Sequence, residues 1–87
     1  MTVYIDNARH KLGRMIMCHM GADTEIELHM MAAKIGVARR HYQGDHYDIS
    51  LQSRKKAIEY GAVKTTQRKM AAFIRGRKAR TGGHHLP

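Results

Sequence analysis

The segment "HYQGDHYDIS", residues 41–50, gathers His41, Tyr42, Asp45, His46, Tyr47 and Asp48 around one glycine, Gly44. Imidazole titrates near neutral pH and carboxylates hold protons and cations, so this mixture suits acid–base catalysis or a divalent metal. His46 and Asp48 lie two apart and share a face of any extended chain. With His19 from the stretch "GRMIMCHMGAD" they are the candidate catalytic residues. Asp6, Arg9, Arg14, Asp45, Tyr47 and Arg54 are the candidate ligand-binding residues: arginine forks onto phosphate oxygens, and a tyrosine ring stacks on a base. A plainer reading stands beside this one, with Asp45 and Asp48 shaping a turn and a helix cap and the histidines facing solvent.

Arg54 sharpens the first reading. Leu51, Arg54 and Ile58 fall at i, i+3 and i+7, which puts a guanidinium on or beside an apolar helical stripe. It needs an anionic partner there, either Asp6 or Asp48 as a structural pair or a bound phosphate. Cys18 reads as a small core residue among methionines. His29, one step off an apolar stripe, reads as a structural histidine.

The elements that must position these groups follow from patterning. "TVYID" alternates apolar and polar residues as a strand does, with Asp6 at its end. Thr24 and Glu27 form a capping box before an apolar stripe of Leu28, Met31, Ala32 and Ile35, and Gly36 stands where that helix should stop. "VARRHYQ" reads as a second strand. "SLQSRKKAIEYG" reads as a second helix begun by Asp48 or Ser50, "AVKTT" as a third strand, and "TQRKMAAFIRGRKAR" as a third helix with Met70, Phe73, Ile74 and Arg77 on one face. The connection "NARHKLGRMIMCHMGAD" reads as a long loop folded back onto the sheet. The expected fold is a small α/β domain over residues 1–80, with a flexible C-terminal tail over 81–87. It is a Rossmann-like β-α-β-α-β-α miniature with a three-stranded parallel sheet; an antiparallel α+β arrangement is the alternative. Asp6, Asp48 and the Thr65–Thr66 pair should then meet at one sheet edge, where open α/β sheets bind ligands. His46 and Asp48 should share a pocket there with Arg54 and at least one of Asp6, Arg9 and His19.

At 87 residues there is room for one core. A single cysteine excludes an internal disulfide and suits a reducing compartment, and no apolar run is long enough to span a membrane. The formal net charge is +9, unevenly spread: residues 34–87 hold 13 Lys/Arg against three acids, and from Lys64 onward there are seven bases and no acid. Such asymmetry favours an anionic partner. Walker A, GxGxxG, zinc-finger and RNP signatures are all missing.

The segments "TVYIDNARH", "GRMIMCHMGAD", "ELH", "GVARRHYQGDHYDIS" and "RKKAIEYGAV" together resemble the domain of unknown function 4031 family of small bacterial and phage proteins, over roughly residues 2–66. The resemblance implies a cytoplasmic, phage-encoded product and names no activity. Three functions are therefore expected in turn. The first is binding of a phosphate-bearing small molecule or nucleic acid. The second is a metal-dependent phosphodiesterase using Mg²⁺ or Mn²⁺ held by Asp6, Asp45, Asp48, His19 and His46. The third is contact with a host protein target. A homo-oligomer is compatible with each, and no membrane partner is expected.

Overall fold

The computed structural model describes residues 2–84, and side chains through Gly76. The strand expected at the start is β1 (Val3–Ile5). The region expected as a long loop is instead a hairpin, β2 (His10–Leu12) and β3 (Met15–Ala22). Its turn is Gly13–Arg14, with Gly13 at φ 62°, the backbone conformation a two-residue hairpin loop wants at its first central position. Cys18, Met20 and Ala22 alternate into the core from β3.

The capping box forms as expected. Thr24 accepts from the Glu27 amide, and α1 (Glu25–Lys34) buries Leu28, Met31 and Ala32, with Ile35 buried at its end. "VARRHYQ" is not a strand: Arg39–His41 is a single 3₁₀ turn. Pairing it into a sheet would have buried cations, and the strand falls instead on Tyr47–Ser50 (β4), where Tyr47 and Ile49 supply the apolar alternation. Ser50, not Asp48, caps α2 (Leu51–Glu59) by accepting from the Ser53 amide. β5 (Val63–Lys64) and α3 (Gln67–His84) complete the chain. The backbone of α3 thus enters the segment expected as a tail. Residues 85–87, and the Arg77 side chain expected on the apolar face of α3, lie outside what is described.

The fold is mixed α/β with three helices, and the sheet has five strands of mixed direction rather than three parallel ones. Among the described residues only β1 and β5 pair in parallel; β1, β2 and β4 all run antiparallel to β3. A two-residue loop at Gly13 permits this, because antiparallel neighbours need no crossover helix. Met17 pairs with both His10 and Ser50, and Met20 with both Ile5 and Tyr47. A strand has two edges, so β4 occupies one edge of β3 while β1 and β2 lie end to end along the other. Residues Asp6–Arg9 bulge out between them.

The sheet has a covered face and a half-covered one. Val3, Ile5, Cys18, Met20, Tyr47 and Ile49 pack with the buried residues of α1 and with Ala57 of α2. On the opposite face α3 lies close over β3: a Cβ on Gly21 would meet Met70 Sδ and Phe73 Cε2, each at 3.2 Å. Phe73 also packs on Tyr4, ring centroids 5.4 Å apart. Gly21→Val is therefore expected to push α3 off the sheet, at an overpacking cost of about 1–3 kcal/mol. Urea unfolding would read that as a lower midpoint, and an unchanged midpoint would contradict the close packing.

Candidate functional site

His19 sits at the middle of β3, on the half-covered face, directly opposite Asp48 of β4. On its other side the chain leaves β1 at Asp6, and here the ladder is rebuilt. The Asp6 amide donates to the His19 carbonyl at 3.1 Å, as an ordinary antiparallel pair would. The reciprocal bond is not made by the Asp6 carbonyl. The His19 amide donates instead to the Asp6 side chain, Oδ1, at 2.8 Å, and the Ala8 amide shares that oxygen at 3.2 Å. The displaced Asp6 carbonyl accepts from Arg54 Nε at 3.0 Å. A fully buried carboxylate is thus satisfied by two backbone amides, and its second oxygen is left for the His19 ring, with Nδ1 2.7 Å from Oδ2. A carboxylate only accepts, so Nδ1 is the donor of this pair, and in the neutral ring Nε2 is the nitrogen left to accept or to ligate.

The same device recurs one strand away. Gly44, at φ 96°, lets the chain reverse before β4, and buried Asp45 then faces its neighbour, with Oδ1 2.5 Å from His46 Nδ1. His46 Nε2 is turned toward Asp48 Oδ1 at 3.5 Å, and His19 Nε2 lies 3.9 Å from the same oxygen. His10 of β2 completes the group, its ring 4.9 Å from that of His19, while the His46 ring is 5.2 Å from it. One ligand atom each from His10, His19 and Asp48 lies within 4.8 Å of the others. Two donors bound at about 2.1 Å around a tetrahedral ion stand about 3.4 Å apart, so a small contraction would close these groups on a cation.

Of the residues expected from sequence, the fold brings Asp6, His19, Asp45, His46 and Asp48 together, and Arg54 braces Asp6 from below through the backbone. That guanidinium meets a carbonyl rather than the carboxylate or phosphate expected for it. Asp6 and Asp48 do share a neighbourhood, but across the width of the sheet through His19 rather than at a row of parallel strand ends. Arg14 and Tyr47 lie elsewhere, and Arg9 flanks His10. Exposed Arg14 is in the hairpin turn, five residues from His19 along β3, about 16 Å. Exposed Arg9 is in the bulge and donates through Nη1 to the Ala8 carbonyl at 2.8 Å. Tyr47 alternates to the other face and is core: its hydroxyl is 2.7 Å from His29 Nδ1, and burial pushes its phenol pKa up. This is the partner that makes His29 structural. Cys18 is likewise core, its thiol pushed up to about 11 by burial and then by Asp6, so it remains a thiol at neutral pH.

Sequence reasoning missed His10 as a member of the group. The signal was there in "HKLGRM": Gly13–Arg14 between two short runs is a hairpin turn, and a hairpin puts His10 beside the strand of His19.

The half-covered face continues into α3. Asn7 of the bulge accepts from the Gln67 amide at 2.8 Å, and Thr66 accepts from the Lys69 amide at 3.1 Å, so the bulge that supplies Asp6 also anchors the start of α3. Between His19 and this helix runs a cleft of about 260 Å³ lined by Gln67, Met70, Ala71, Ile74 and Arg75.

A family model described as "Protein of unknown function (DUF4031)" matches residues 3–77. No curated protein and no solved structure matches the chain.

Proposed function

The chain belongs to the DUF4031 family, whose description names no activity, and we propose from the geometry of its site that it is a metal-dependent phosphoesterase. One observation carries the reading: two histidines, each fixed at Nδ1 by its own buried aspartate, turn their Nε2 atoms toward Asp48. Carboxylates behind histidines of this kind orient metal ligands and set their tautomers. His10, His19 and Asp48 would hold the ion and leave positions open for water and substrate. Two imidazoles and one carboxylate suit Zn²⁺ or Mn²⁺ better than Mg²⁺, which prefers oxygen ligands. A module that only bound phosphate would want cations at its centre. Here the centre is acid and imidazole, with Arg54 engaged on a backbone carbonyl.

The chemistry balances without a further reactant. An ion held by His10, His19 and Asp48 would lower the pKa of a water toward about 7 and so supply the nucleophile for phosphorus. The bond from phosphorus to the leaving oxygen breaks. His46, oriented by Asp45, takes the water's proton and delivers it to that oxygen, so a diester yields a monoester and an alcohol.

The test is hydrolysis of bis(p-nitrophenyl) phosphate by protein stripped with EDTA and then resupplied with Zn²⁺, Mn²⁺ or Mg²⁺. Turnover should vanish on stripping and return with Zn²⁺ or Mn²⁺, one ion per chain by calorimetry. Failure of any of these ions to bind would end the proposal.

A further inference from the structure

We infer that the substrate strand is single-stranded nucleic acid, seated in the cleft between His19 and α3; this rests on the phosphoesterase reading and narrows its substrate class. The cleft starts at the proposed metal ligands and is bounded by one stripe of α3. Gln67, Met70, Ala71, Ile74 and Arg75 recur at i, i+3, i+4, i+7 and i+8. Its floor is mixed in a way that matches a nucleotide. Half-buried Ala71 and Ile74, backed by buried Met70, offer an apolar surface for the flat face of a base, and exposed Arg75 offers a fork for the next phosphate.

Charge extends the track beyond a single nucleotide. Arg68, Lys69 and Arg75 are exposed on α3, and the sequence adds Arg77, Lys78 and Arg80 with no acid from Lys64 to the C-terminus. At 18 residues α3 is about 27 Å long, enough to follow several phosphates. A mononucleotide would leave most of that charge unused. A duplex would have to unpair and extrude a base to reach the apolar floor, which a single strand need not do. The carboxylates of the site lie at one end of this track, so the field draws the backbone along α3 while the proposed ion neutralises the acids where the scissile phosphate must sit.

Binding is read by fluorescence anisotropy in EDTA, so that neither metal nor turnover enters. The probe is a labelled oligothymidylate, with a duplex of equal length and thymidine monophosphate as competitors. The oligothymidylate should bind at least about tenfold more tightly than the duplex, the penalty for freeing one base, and the monophosphate should compete weakly. Affinity should fall with salt, and Arg75→Ala should reduce the slope of log K against log[salt] by about 0.7. Ile74→Glu should abolish seating; far-UV circular dichroism separates this from misfolding, and exposed Arg75→Ala decides the matter if Ile74→Glu does not fold. Equal or tighter duplex binding, no binding, or an unchanged salt slope in Arg75→Ala would overturn the inference. Strand binding without metal-dependent hydrolysis would leave it standing and remove the phosphoesterase. Hydrolysis of the small diester without strand binding would do the reverse.

Discussion

Asp6→Ala is expected to cost about 3 kcal/mol, enough to unfold a substantial fraction of so small a domain near physiological temperature. The substitution leaves the amides of Ala8 and His19 without their acceptor at a buried position. Each unsatisfied buried amide costs about 1–3 kcal/mol. Urea unfolding followed by circular dichroism measures the loss directly. Asp6→Asn separates folding from function. Its amide oxygen can take the place of Oδ1 and keep both backbone bonds, so stability should change little. Its amide nitrogen then faces His19 Nδ1 and donates to it, which drives the ring proton onto Nε2. A protonated Nε2 cannot ligate. Metal affinity should therefore fall about 10–100-fold, as it does when an aspartate behind a ligating histidine is lost. Full metal affinity in Asp6→Asn would show that the Asp6–His19 pair is structural only.

His46→Ala should separate chemistry from binding. The ring lies beside the proposed ligands but outside the set of His10, His19 and Asp48, with its Nε2 3.5 Å from Asp48. Its removal should leave one metal per chain and a nearly unchanged KM. The rate constant kcat should fall about 10²–10⁴-fold, the usual contribution of a positioned acid–base group. Loss of the ion in this variant would make His46 a ligand, and an undiminished kcat would remove it from the mechanism.

What the sequence by itself determined was local. The capping box at Thr24 and Glu27, the stripe of Leu28, Met31, Ala32 and Ile35, and the start of α2 at Asp48 or Ser50 each depend on residues a turn or two apart. The His/Asp richness of residues 41–50 and the acid-free run after Lys64 were legible for the same reason, since composition needs no partner. Strand identity was not. β3 has a single β-branched residue, Ile16, among methionines, a cysteine and a histidine, and its β character comes from what packs and pairs with it. Only the tertiary structure decided that Tyr47 is core while its neighbour Asp48 is site, because alternation fixes the two faces but not which of them α1 and α2 will cover. The Asp6–His19 contact lies equally beyond local reasoning. It spans 13 residues and exists because a bulge between β1 and β2 lets a carboxylate stand in for a backbone carbonyl, freeing that carbonyl for Arg54, 48 residues away. Residue types announced the chemistry, and long-range strand pairing chose which of them could meet.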